Sequence, residues 1–201
     1  STVIFYAVIS PVMAHVLKLA RPRSSGILVF GASKFAISLC QALKAEGVDV
    51  VLVDGNREHV MRARVQGLEA IKEDIFSEDI LELVEERGLG RLLALTQNVE
   101  ANSLAIEHFR HLMDPGELYQ LSPPSKSKLR QGHHLVGRIL FGEDVSFRFL
   151  EDKAEKGADI KPFAGGEGVV LPENTVLFAK DMKGKVSFST ADEGQAAAAD
   201  R

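Results

Sequence analysis

From Gly26 onward the apolar residues fall in short unbroken runs, separated by stretches in which they recur every three or four positions. A run of four to six apolar residues bounded by turn signals is the pattern of a strand buried on both faces. Recurrence at three and four is the pattern of a helix with one buried face. ILVFG (27–31) reads as a first strand, and Phe35, Leu39 and Leu43 then follow at helical spacing, with Gly47 placed as a helix stop. VDVVLVDG (48–55) is the second strand, Asn56 to Gln66 a helix ending near Gly67, and Leu68 to Lys72 a short third strand. Ser77 caps SEDILELVEERG, whose first turn carries the acidic residues that favour a helix N-terminus. RLLALT (91–96) is the fourth strand, Val99 to Met113 a helix, and Glu117 to Leu121 the fifth strand. Strands alternating with helices predict βαβ units, and hence an α/β, Rossmann-like, doubly wound parallel sheet.

The pattern changes at both ends. Pro123, Pro124 and the polar SKSK stretch interrupt the alternation. RILFG (138–142) and Val145 to Lys156 then predict a sixth strand and a closing helix. Beyond Gly157 the chain is turn-rich, and VLFAKDMKGKVSFST (176–190) predicts two strands about an Asp-Met-Lys-Gly turn. A piece this small makes no core of its own and must lie on the α/β body or on something else. At the other end, STVIFYAVISPVMAHVLKLA has no charged side chain before Lys18, and Arg21 and Arg23 follow. Its length approaches the ~20 residues that span a bilayer, and the basic flank predicts a cytoplasmic continuation. An amphipathic helix docked on its own domain or on a second copy is the other reading. Beginning with Ser rather than Met, the chain reads as a fragment cut within its last membrane helix. The division expected is an apolar helix over 1–23, a nucleotide-binding domain over 24–156, and a β appendage with a tail over 157–201.

Composition narrows the class. With 201 residues, 45% of them apolar, and a formal charge of -4, the chain predicts one domain with extras and no electrostatic attraction to nucleic acid. A lone cysteine, Cys40, excludes an intrachain disulfide and a four-cysteine zinc site.

Candidate chemistry centres on the first βα turn, VFGASKFA. A dinucleotide-binding turn asks for G-x-G-x-x-G: one glycine for the tight turn, one for close approach of the pyrophosphate, and one for helix–sheet packing. Gly31 supplies the first, Ala36 the near-equivalent of the third, and Ser33 is the departure, placing a side chain where phosphate would meet backbone. Lys34 adds a positive charge beside the helix N-terminus. Asp54, ending the second strand, stands where a carboxylate would accept both hydroxyls of an adenosine ribose. A turn retained without a ligand is the alternative.

The series GILVFGASKFA, VVLVDGNRE, KEDIFSED and RLLALTQNVEANSLA, from Gly26 to Leu121, resembles the nucleotide-binding regulatory domain of potassium transport proteins of the Trk or RCK type. The resemblance implies that Asp54 holds ribose, that Glu73 and Asp74 lie against adenine, and that Thr96 opens a polar run through Gln97, Asn98 and Asn102. The contact set it implies is Gly31, Ser33, Lys34 and Phe35 in the loop, Asp54, Asn56 and Arg57 after the second strand, Asp74 and Ile75 after the third, and Thr96 and Asn98 after the fourth. Glu73 stands in place of the glycine of the family's Gly-Asp pair. LFGEDVSF and LFAKDMKGKVSFSTA are similar to the cytoplasmic tails of bacterial sodium or cation:proton antiporters. The resemblance therefore implies a homodimeric, non-enzymatic module on the cytoplasmic face of the cell membrane, joined to a transporter in the same chain. Its ligand would be an adenine nucleotide, NAD(H) or an AMP- or ATP-like molecule, bound weakly. An NAD(P)-dependent oxidoreductase and a ligand-free assembly domain are the alternatives.

Other constellations point nowhere as specific. Glu107, His108 and His111 share a predicted helix face that reads as solvated rather than as a metal site, and His133 and His134 lie in a polar loop. No G-x-S-x-G elbow, Walker A loop or HExxH occurs.

Overall fold

The computed structural model describes residues 26–124, 137–158, 160, 177–181 and 186–190. The apolar run of the first twenty residues, His133, His134 and the C-terminal tail lie outside them. Six parallel strands form one sheet in the order β3-β2-β1-β4-β5-β6. They are β1 (Gly26–Phe30), β2 (Val50–Val53), β3 (Glu69–Ile71), β4 (Leu89–Ala94), β5 (Leu118–Leu121) and β6 (Arg138–Leu140). The helices between them are α1 (Lys34–Ala45), α2 (Arg57–Val65), α3 (Glu78–Arg87) and α4 (Val99–Phe109), and α5 (Phe147–Glu155) follows β6.

Why the central strands read as unbroken apolar runs is visible in the two faces of the sheet. Ile27, Val29, Leu52 and Leu93 point to one side, where they meet Leu39, Cys40 and Leu43 of α1, Val60 and Ala63 of α2, and Leu150 of α5. Leu28, Val51, Val53, Leu92 and Ala94 point to the other, against Ile80 and Val84 of α3 and Ala105, Ile106 and Phe109 of α4. With helices on both sides every residue of β2 and all of β1 but Phe30 at its end are buried, so the two-residue alternation of the pleat disappears from the sequence.

Most element boundaries fall within two residues of those expected. Strand β4 begins earlier, at Leu89, because Gly88 takes a left-handed conformation (φ 63°) that closes α3 and feeds the chain straight into the sheet. Helix α4 stops at Phe109 rather than Met113. The Leu112 and Met113 N–H groups both donate to the Phe109 carbonyl at 2.9 Å in a closing turn, and Pro115 then opens a 3-10 turn, Pro115–Glu117, capped by Asp114.

The C-terminal strands β7 (Phe178–Lys180) and β8 (Val186–Phe188) pair antiparallel, Phe178 opposite Phe188. This hairpin has no core of its own and lies on the body. Val186 and Phe188 enter the first apolar cluster, and Phe188 meets the Tyr119 ring edge-on at 5.3 Å. Thr190 bridges Leu140 of β6, and the Thr190 hydroxyl accepts a hydrogen bond from Arg138 at 3.0 Å. Among the described residues no helix is long and apolar enough to cross a membrane.

Candidate functional site

The strand order reverses between β1 and β4, and in sheets of this kind ligands sit outside the carboxyl ends of the strands at such a reversal. The glycine loop lies there. Gly31 has φ 103°, and a Cβ on it would stand 3.0 Å from Thr96 Cγ2 and 3.2 Å from the Leu95 carbonyl, so the turn admits only glycine. Ser33 is the N-cap of α1: its Oγ accepts the Ala36 N–H at 3.2 Å, which turns the hydroxyl along the helix. The next two amides point at a carboxylate. Lys34 N–H and Phe35 N–H donate to the two oxygens of Glu151, each at 3.1 Å. The Lys34 ammonium lies 3.7 Å from Glu155, and the Phe35 ring meets the edge of Phe141 at 5.9 Å.

Asp54 closes the other side of the loop. Its Oδ2 accepts the Ala32 N–H at 2.8 Å and lies 3.1 Å from His59 Nδ1, while Oδ1 accepts the Asn56 N–H at 2.7 Å. The structure therefore brings Gly31 and Asp54 together through the backbone of Ala32. Asn56 caps α2, its Oδ1 accepting the Glu58 N–H at 2.8 Å, and Arg57 is the exposed first residue of that helix.

Beyond Asp54 lies a crevice of about 460 Å³ lined by Phe30, Gly55, Lys72, Glu73, Asp74 and Ile75. Asp74 and Ile75 are thus on its wall. Asp74 Oδ1 accepts the Phe76 N–H at 3.0 Å and Glu73 accepts the Asp74 N–H at 3.0 Å, which fixes the turn after β3. With Glu73, Asp74 and Asp54 at hand, the opening is richer in acceptors than in cations, a lining suited to hydroxyl and amino donors. Thr96 and Asn98 lie behind the loop rather than on this wall. Buried Asn102 ties them: its Oδ1 accepts from Thr96 Oγ1 at 2.6 Å and from Thr96 N–H at 3.2 Å, and its Nδ2 donates to the Thr96 carbonyl at 3.0 Å. Asn98 Oδ1 caps α4 through the Ala101 N–H.

Two residues at this site carry no signal in the glycine fingerprint. His59 sits five positions past Asp54 on the first turns of α2, a spacing from which its contact could have been read. Glu151 could not: it is 116 positions from Phe35, on an α5 segment, EDKAEK, that reads as a solvated helix face. Elsewhere Phe76, Leu104, Glu107, His108 and His111 line a shallow groove on α4. Among the described residues no three His, Cys, Asp or Glu side chains are grouped to hold a metal ion.

Residues 27–119, which hold the glycine loop, Asp54, Asp74 and Thr96, match the family model of the TrkA-N domain. No curated protein matches the chain. Three solved structures are similar to it. The TrkA-N domain of the inner membrane protein ybaL from Escherichia coli is 18% identical over 48% of this chain and 70% of its own, with a TM-score of 0.41. The NAD(P)-binding domain of an exopolyphosphatase-related protein from Archaeoglobus fulgidus is 19% identical over 66% and 95%, with a TM-score of 0.48. The GsuK channel bound to NAD is 18% identical over 64% of this chain and 26% of its own, with a TM-score of 0.44. At these scores none of the three bears on the function of this chain.

Proposed function

We propose that this domain binds an adenine nucleotide and thereby regulates a membrane transporter of monovalent cations, either a potassium transporter or a cation:proton antiporter. The observation that carries the reading is Asp54. Its carboxylate, next to crevice-lining Gly55, is fixed by the amides of Ala32 and Asn56 and by His59 Nδ1 3.1 Å from Oδ2, and Oδ1, with one partner, keeps a lone pair to accept a ribose hydroxyl. Adenine then lies toward Gly55, Asp74 and Ile75. In this reading the domain works at the cytoplasmic face as a homodimer, joined to the transporter in its own chain. A ligand shifts the transporter only by binding one arrangement of the pair better than another.

Regulation is favoured over hydride-transfer chemistry by the sequence. That chemistry needs a proton donor or acceptor beside the nicotinamide, and the chain holds no Tyr-x-x-x-Lys pair. The test is calorimetry on the 201-residue chain and on Asp54→Ala with adenosine, AMP, ATP and NAD. Dissociation constants of roughly micromolar to millimolar are expected, lost for every ligand in the variant. Adenosine heats that are absent from the parent chain, or identical in Asp54→Ala, would sink the reading.

A further inference from the structure

We propose that Glu151 occupies the place of a ligand phosphate and thereby decides which adenosine derivatives the crevice admits. This rests on the adenosine-site reading above. The first-turn amides of a helix opening a βα turn are the natural donors to a phosphate, because they have no intrahelical acceptor and lie at the positive end of the helix dipole. Here the amides of Lys34 and Phe35 both donate to one carboxylate, and Ser33 Oγ has taken the amide of Ala36. What stands at the phosphate position is an anion supplied by the chain.

The segment that delivers it is closed over the loop at more than one point. Phe141, at the end of β6, is buried against Phe35 and holds a φ of 64°, a left-handed conformation that a bulky residue adopts only under constraint. Glu155, one turn past Glu151, faces the Lys34 ammonium. The crevice walled by Phe30, Gly55 and Asp74 is separate from these contacts. A nucleoside can fill it without touching Glu151, whereas a phosphate on that nucleoside's 5′ oxygen must displace the carboxylate. A phosphate brings more charge and more acceptor oxygens to the same two amides, so displacement is feasible but opposed. The consequence is selectivity for nucleoside over nucleotide, and release of α5 only when the ligand carries phosphate.

The experiment uses the whole chain, Glu151→Ala and Glu151→Gln, with adenosine, AMP and inorganic pyrophosphate as probes. Calorimetry gives the affinities, and hydrogen exchange follows residues 147–155. Adenosine affinity is expected to stay within about twofold in all three proteins, and AMP and pyrophosphate to bind Glu151→Ala about tenfold or more tighter than the parent, the loss of one charge-assisted contact to each amide. AMP, and not adenosine, should speed exchange across α5 in the parent chain. Should Glu151→Ala not fold, Glu151→Gln decides, since it keeps the side-chain volume without the charge and should still bind pyrophosphate more tightly. Unchanged phosphate affinities in the folded variants, or an equal gain for adenosine, would overturn the proposal. If adenosine binds none of the proteins, the adenosine-site reading fails by itself, and the pyrophosphate comparison still decides the role of Glu151.

Discussion

The carboxylate of Asp54 accepts the backbone N–H of Ala32 at 2.8 Å, so the end of β2 holds the glycine loop in place. Asp54 has a second structural contact. Its second oxygen accepts the Asn56 N–H at 2.7 Å and so shapes the turn into α2. The side chain is only 17% exposed, which makes both bonds costly to lose.

Replacement of Asp54 should therefore lower stability as well as ligand affinity. Asp54→Ala leaves two amides without their acceptor, at a cost of ~1–3 kcal/mol. Asp54→Asn keeps one acceptor oxygen and should cost less. Urea melts monitored by circular dichroism check the order, and equal stability of Asp54→Ala and the parent chain would refute it.

Gly31 and Gly47 both have positive φ, 103° and 77°, but only Gly31 is crowded. Gly47→Ala should cost the backbone term alone, ~1–2 kcal/mol. Gly31→Ala adds a clash with the Leu95 carbonyl and Thr96, and should melt at a clearly lower temperature than Gly47→Ala. A thermal scan of the two variants side by side gives the answer.

Asn102 is 1% exposed and makes three hydrogen bonds to Thr96. Asn102→Ala should destabilise the chain by ~1–3 kcal/mol through the unpaired groups it leaves. Hydrogen exchange at Thr96 should rise well before global unfolding. Protection equal to that of the parent would show that the loop is held by its backbone alone.

Burial pushes the Cys40 thiol far above its ordinary range, so the folded chain keeps a proton that the unfolded chain releases above about pH 8.5. The folded state then binds more protons than the unfolded one, and stability must fall as pH rises. The loss approaches ~1.4 kcal/mol per pH unit for this one group. Cys40→Ala should remove that slope. Urea melts at pH 7.5 and pH 10 on both proteins measure it, and parallel losses in the two would assign the slope to other groups.

The order of elements, the parallel sheet and the acid that closes β2 were legible in the residues alone. Each has a local cause. Unbroken apolar runs such as ILVF and VVLV record strands covered on both faces, Gly31 records a turn that only glycine can make, and Asp54 follows its strand directly. Helix ends such as Ser33, Asn56 and Asn98 are also local, since each cap bonds an amide two or three residues away. The remainder depends on contacts between distant parts of the chain. Ser33 departs from the fingerprint in the sequence, but its hydroxyl is spent on its own helix, and the group facing the phosphate position is Glu151, brought there by the packing of α5 beside α1. The hairpin's place on the edge of the sheet was equally unreadable. A charged residue on an amphipathic helix gives no sign of its partner, because helix periodicity fixes which face is buried and not which backbone amides that face will meet.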